Sequence, residues 1–196
     1  MLIFKTEKRK NRIIEVARRR QQTLHIVLEN IHDPHNVSAI FRTCDAVGVP
    51  LVSLVYTVEK FPKIAKKSSG SAFKWIEKEK HKSISDCYTS LKEKGFKIYA
   101  SSITDGVKNL YDLDLSAKCA VVLGNEHRGV SDEAAELADE RFSIPMFGMV
   151  QSLNVSVASA VVLYEAARQR FAKDMYSDSK KSDEELNELI TYLSKK

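Results

Sequence analysis

Apolar runs and amphipathic stretches alternate along this chain. TLHIVLENI (23–31) is an unbroken β-branched and apolar run, the pattern of a buried strand, and it stops at the turn cluster HDPHN. From Asn36 to Val47 the apolar positions Val37, Ile40, Phe41 and Val47 predict a helix closed by Gly48. LVSLVYTV (51–58), KIYASSI (97–103), KCAVVLGNE (118–126) and RFSIPM (141–146) predict further strands. Helices are predicted over 83–95, ending at Gly95, over 131–139, and from about Ser152 to Phe171. The long last one carries Val155, Val157, Ala158, Val161, Val162, Tyr164 and Ala166. Such alternation predicts an α/β domain with a mostly parallel sheet and flanking helices.

Two helical extensions flank that domain. Residues 6–20 predict a basic helix with Ile13, Ile14, Val16 and Ala17 on its apolar side. Near the end, S-D-E-E (182–185) is a capping box before Leu186, Leu189, Ile190 and Leu193, at i, i+3, i+4 and i+7. The expected organisation is an extension over 1–20, a domain over 21–172 and a second extension over 173–196. KKSSGSAFKW (66–75) reads as a basic loop.

Composition narrows the class. With 43% hydrophobic and 29% charged residues the chain is ordinary for a soluble globular domain. The opening MLIF is too short for a secretory core, so the cytoplasm is the expected location. Cys44, Cys87 and Cys119 are too scattered for a disulfide framework, and no H-E-x-x-H or C-x-x-C is present; no metal is expected. Charge is clustered. Residues 1–20 carry net +6 while the whole chain carries +5, and residues 59–82 hold eight lysines against three glutamates. Two basic segments on a balanced body are the footprint of a polyanion-binding protein.

VVLGNEHRGVS (121–131) nearly spells the phosphate loop G-x-x-x-x-G-K-[ST]. Val130 stands where the lysine belongs, and Glu126 puts an anion where a triphosphate would sit, so an NTPase is excluded on charge. A plain strand-to-helix turn remains, with Ser131 as N-cap and Asp132 and Glu133 at the positive helix end. No G-x-G-x-x-G supports a Rossmann nucleotide site, and no G-x-S-x-G supports a hydrolase. Cys44 falls in the apolar rhythm of its helix and reads as a buried thiol.

In an open parallel sheet, ligands sit at the carboxyl ends of the strands. Four polar segments fall there: NIHDPHNVSAIFRT (30–43), ASSITDG (100–106), GNEHRG (124–129) and MFGMVQSLNVS (146–156). Asn36, Arg42, Glu126, Ser152 and Asn154 are the residues expected to converge. Taken singly, Asn36 also reads as an N-cap and Arg42 as half of a surface ion pair.

Three of these segments together resemble the SpoU class of the SPOUT RNA 2′-O-methyltransferases. NIHDPHNVSAIFRTCDAVG (30–48), VVLGNEHRGVS (121–131) and IPMFGMVQSLNVSVASA (144–160) match its three motifs in order. The basic leading helix, Ser38, SSGSAFKW (68–75) and the helical tail make the chain similar to the tRNA guanosine-18 2′-O-methyltransferases. The resemblance implies a deep trefoil knot in the C-terminal part of the domain, with Ala158, Ser159 and Ala160 small enough for close helix packing. It implies S-adenosylmethionine as cofactor, contacted by Ser101, Gly124, Ile144, Met146 and Leu153. It also implies a homodimer about the long helix, and tRNA as partner.

By the same resemblance Arg42 is the catalytic arginine, with Asn36, Glu126, Ser152 and Asn154 ordering loops, cofactor and ribose. A guanidinium is a poor proton acceptor near neutrality, so two roles stay open for Arg42: a base assisted by an RNA phosphate, or a cation that stabilises the developing alkoxide. Arg9, Arg12, Arg19, His35, Arg168 and Arg170 are the expected RNA contacts. Trp75 reads equally as a base-stacking platform or a core aromatic. Alternatives are a sister enzyme acting on rRNA or another tRNA position, and an RNA-binding protein without catalysis.

Overall fold

The computed structural model describes residues 6–64, 72–104, 106–177 and 181–196. Among these, the strands are β1 (Leu24–Glu29), β2 (Leu51–Val55), β3 (Glu77–His81), β4 (Lys97–Ser101), β5 (Lys108–Asn109), β6 (Cys119–Leu123) and β7 (Glu140–Ser143). They form one sheet in the order β3-β2-β1-β6-β4-β7-β5. Every neighbouring pair is parallel. All carboxyl ends therefore lie along one edge.

The helices are α1 (Glu7–Arg19), α2 (Pro34–Ala46), α3 (Ala72–Trp75), α4 (Ile84–Glu93), α5 (Asp132–Leu137), α6 (Val155–Ala172) and α7 (Asp183–Ser194). The central strands β1 and β6 are buried along their whole length. Their side chains alternate between faces, as a period of two requires. Ile26, Leu28, Val121 and Leu123 join Phe41 of α2 and Val162 and Leu163 of α6. Val27, Ala120 and Val122 face the other way, onto Ile84, Cys87, Tyr88 and Leu91 of α4 and Ala134 of α5. Both faces are covered, so these strands read as unbroken apolar runs.

Several elements differ from the sequence reading. β3 has the sequence EKEKH, which carries no apolar signal. It forms by backbone pairing to β2 at the sheet edge, where charged residues are tolerated and discourage further strand pairing. α2 begins at Pro34, with Asp33 as N-cap accepting the His35 N–H at 2.8 Å, so Asn36 is not the cap. α6 begins at Val155 with Asn154 as its cap, three residues after Ser152. The short β5 and the 3-10 turn Leu110–Asp112 had no periodic signature. Of the basic loop expected at 66–75, residues 72–75 form α3 and the rest lie outside the described residues.

The two terminal helices pack on each other. Ile13 and Ala17 of α1 meet Leu186, Leu189, Ile190 and Leu193 of α7, with Trp75 in the same cluster. The capping box at Ser182 and Glu185 starts α7 as its sequence indicates. α1 is tied to the domain by Arg20, which is 2% exposed. Its guanidinium reaches Asp45 Oδ1 at 2.9 Å and the carbonyls of Val49 and Trp75 at 3.2 and 3.1 Å. One charge of the basic N-terminal cluster is thus structural.

Arg170 corrects an expectation. Placed among the RNA contacts by resemblance, it is 0% exposed. Its guanidinium donates to the carbonyls of Leu115, Thr23 and Ala117 at 2.9, 2.9 and 2.8 Å, to Thr23 Oγ1 at 2.8 Å and to Gln21 Oε1 at 3.3 Å. This side chain joins α6 to the entries of β1 and β6, and no donor faces outward. Arg170→Met is expected to lower the unfolding free energy by about 3 kcal/mol or more, since each stranded buried acceptor costs roughly 1–3 kcal/mol. Equilibrium denaturation checks it.

Candidate functional site

Three of the four polar segments meet through one chain of hydrogen bonds at the carboxyl edge; the segment 100–106 is not part of it. Glu126, just beyond β6, accepts the backbone N–H of His32 at 3.0 Å and of Asp33 at 3.1 Å. Its Oε1 also accepts from the Asn36 side-chain amide at 2.9 Å. Asn36 Oδ1 in turn accepts from the Asn154 amide at 3.1 Å. Asn154 Oδ1 caps α6 by accepting the Ser156 N–H at 2.8 Å. Loops from three distant parts of the chain are joined through two asparagines and one carboxylate.

Local geometry explains the residue types. Asparagine serves in the middle because it accepts with its oxygen and donates with its nitrogen. Asn36 stands in the first turn of α2 and is 7% exposed, so it needs both partners. Gly124 is required by close approach: a Cβ there would stand 2.1 Å from the backbone of Gly129 and Val130. The loop that leaves β6 therefore folds back on itself, with the Gly129 N–H donating to the Asn125 carbonyl at 2.8 Å. Ser131 caps α5, as the plain reading of that turn held.

Three supporting residues escaped the sequence reading. Asn30 sits at a φ of 52°, a left-handed conformation that asparagine tolerates. Its Oδ1 accepts the N–H groups of Thr57, Val58 and Glu59 at 3.0, 3.0 and 3.1 Å, tying the β1 exit to the β2 exit. Asn125 donates to the Asn30 carbonyl at 2.8 Å and accepts from the N–H groups of His127 and Arg128. Glu29, buried at the end of β1, accepts the Ser131 N–H at 2.9 Å. An asparagine or acid directly after an apolar strand was the available signal.

The other expected residues are distributed as follows. Arg42 lies on α2, six residues beyond Asn36, exposed and making no hydrogen bond or ion pair among the described residues. Ser152 is exposed in the loop before α6 and is not part of the hydrogen-bonded chain. Ser101, Ile144, Met146 and Leu153 are half-buried near that same edge, and Gly124 is buried there. His35 is exposed in the first turn of α2. Arg168 is exposed and forks onto Glu165 with two bonds of 2.8 Å.

Arg9, Arg12 and Arg19 are elsewhere. α1 leads through Arg20 into the amino end of β1, so within one chain these arginines belong to the opposite sheet edge, about a strand length or ~20 Å away. Arg12 and Arg19 both pair with Glu15, at 2.8 and 2.7 Å. Arg9 lies 5.7 Å and Lys74 5.0 Å from the Trp75 ring centroid, so the half-buried indole is both packed and covered by cations. Among the described residues no group of His, Cys, Asp or Glu has the arrangement to hold a metal ion. None of the described helices is long and apolar enough to cross a membrane.

Electrostatics favour an ionised Glu126. Burial alone would raise its pKa, but the Asn36 amide and the N–H groups of His32 and Asp33 outweigh it and lower the pKa below the ordinary 4.5. A depressed carboxylate pKa contributes stability that is present above the ordinary value and is lost as pH falls through the folded one. Glu126→Gln, whose amide nitrogen cannot accept an N–H, is expected to destabilise the protein by about 1–3 kcal/mol at neutral pH. The gap between the two proteins should narrow as pH drops below 4.5. Thermal melts across that range check it.

Comparison with known proteins agrees with this geometry. A family model described as the SpoU rRNA Methylase family matches residues 23–164. The tRNA (guanosine(18)-2′-O)-methyltransferase of Thermus thermophilus is 45% identical over 186 residues, 95% of each chain. The protein of the same name from Escherichia coli is 44% identical over 165 residues, 84% of this chain and 72% of that one. The crystal structure of the A. aeolicus TrmH/SpoU tRNA modifying enzyme superposes with a TM-score of 0.89 at 40% identity, covering 96% of both chains. The family match runs from just before β1 into α6 and takes in every loop that meets at Glu126; the chain belongs to the SpoU rRNA methylase family.

Proposed function

We propose that this protein transfers a methyl group from S-adenosylmethionine to the ribose 2′-hydroxyl of a guanosine in tRNA, at position 18 of the D-loop. The observation that carries the reading is the Glu126–Asn36–Asn154 chain, which brings the three motif segments to one edge, with Arg42 exposed further along α2 and its side chain unpaired among the described residues. Relatives named tRNA (guanosine(18)-2′-O)-methyltransferase support the substrate.

The residues around the edge suit the cofactor. Ile144, Met146 and Leu153 offer half-buried apolar surface for an adenosine, and Ser101 a hydroxyl. The stretch 144–154 holds no lysine or arginine that would repel a sulfonium. When bound, the cofactor supplies an electrophilic methyl on sulfur. The chain's task is to place the ribose hydroxyl opposite that sulfur and to manage its proton, and positioning of this kind supplies much of a transfer rate. Asn36, Glu126 and Asn154 order the loops, and the exposed Ser152 hydroxyl is left to cofactor or ribose. Arg42 meets no internal anion among the described residues, which favours the electrostatic role: a charged guanidinium facing the developing alkoxide.

The larger assembly belongs to the same reading. The protein acts as a homodimer in the cytoplasm, with 1–20 and 173–196 as extensions of a knotted domain over 21–172. Support for a dimer comes from α6, where Val157, Tyr164 and Phe171 recur every seven residues and remain exposed, continued by Phe147, Met149 and Val150. Support for close threading comes from Ser159, which is fully buried. In such a dimer Arg9, Arg12 and Arg19 of one copy's α1 would serve the other copy's site.

Purified protein, methyl-labelled S-adenosylmethionine and an unmodified tRNA transcript test the proposal. Label is expected to enter that transcript and not one bearing 2′-deoxyguanosine at position 18. Equal labelling of both moves the target elsewhere. Binding of both without labelling leaves an RNA-binding protein or a different RNA substrate. Arg42→Ala is expected to lower turnover by about 10²–10³-fold with cofactor affinity unchanged, as when one transition-state donor is removed.

A further inference from the structure

The catalytic edge needs a grip on RNA close at hand, because Arg9, Arg12 and Arg19 lie at the opposite edge and Arg170 is buried. Two further side chains stand on the loops beside Glu126. Arg128 follows it by two residues and is 56% exposed, with Nη2 2.8 Å from Glu59 Oε1. His32 lies on the β1 loop and is 72% exposed, with Nδ1 3.4 Å from Glu59 Oε2. Glu59 is held in place between them, its own N–H donating to Asn30 Oδ1 at 3.1 Å. A carboxylate set between an arginine and an imidazole presents what a phosphodiester presents: two acceptor oxygens sharing one negative charge.

We propose that Arg128 and His32 form a subsite for a backbone phosphate of the RNA substrate, and that Glu59 occupies it as an internal stand-in until that phosphate displaces it. The proposal rests on the RNA reading above. The alternative role, a clip holding the loop in shape, is already filled. Asn125 ties that loop to Asn30 and caps the N–H groups of His127 and Arg128, and Glu29 holds Ser131 at its far end. With Arg128 56% and Glu59 25% exposed, the pair is still reached by solvent and adds little to folding, so exchanging its anion costs little. Substrate phosphate also gains from releasing its condensed counterions, which Glu59 does not. In the free protein Glu59 holds the guanidinium at the exits of β1 and β2, so the phosphate meets an oriented donor.

The test is tRNA binding by wild type, Arg128→Ala and Glu59→Gln at several salt concentrations, with thermal melts to verify folding. Arg128→Ala should weaken binding about tenfold and reduce the slope of log affinity against log salt by about one. Glu59→Gln keeps the shape, removes the competing charge and should bind about threefold tighter or more. Weakening by Glu59→Gln comparable to that by Arg128→Ala would make the pair a structural clip and overturn the proposal. Unchanged binding by Arg128→Ala would overturn it as well. If wild type fails to bind tRNA at all, the RNA reading itself falls and takes this subsite with it.

Discussion

One half-buried carboxylate organises the working edge of this protein. Glu126 receives two backbone N–H groups from the β1 loop and one amide from α2, and that amide belongs to the residue that holds the start of α6. The three segments are far apart in sequence; pairing of β1 with β6 sets the first two side by side, but no strand pairing reaches the start of α6. Their alignment depends on donors that only an ionised carboxylate at this point satisfies. Gly124 is a precondition, since the chain must turn back on itself to present Glu126 at all.

Most of the frame was legible because its signals are local. Continuous apolar runs flanked by helices announce a parallel sheet covered on both faces, and β1, β2, β4, β6 and β7 lie where those runs are. β3 was not legible: EKEKH forms a strand only because β2 offers an unpaired edge. The site was legible in part. Asn36, Glu126 and Asn154 stand at strand exits and helix starts that the parallel sheet sends to one edge, which is where they were expected to converge. Ser152 lies on the same loop as Asn154 but outside the hydrogen-bonded chain. Arg170 shows the limit of reading charge from sequence, because a basic residue near a helix end looks alike whether it meets solvent or five buried acceptors. Asn30 and Asn125 were missed because their partners are backbone groups, which leave no pattern in side chains.

The division of charge between the two edges bears on how a large polyanion is handled. Basic side chains of α1 lie toward the amino edge, with Arg9 of α1 and Lys74 of α3 over Trp75. At the carboxyl edge Arg128, His32 and His35 are fewer and closer to the loops. On the function proposed above, general attraction of RNA falls to the first group and local registration of its phosphates to the second.

Glu126 acts on the start of α6 through Asn36, as one unit. A double-mutant cycle on methyl-transfer rate tests this most directly, with Glu126→Gln and Asn154→Ser, the serine keeping the helix cap while removing the amide donor. Strong coupling is expected, with the double variant no slower than the slower single variant within about twofold. A double variant slowed by the product of the two separate effects would contradict it.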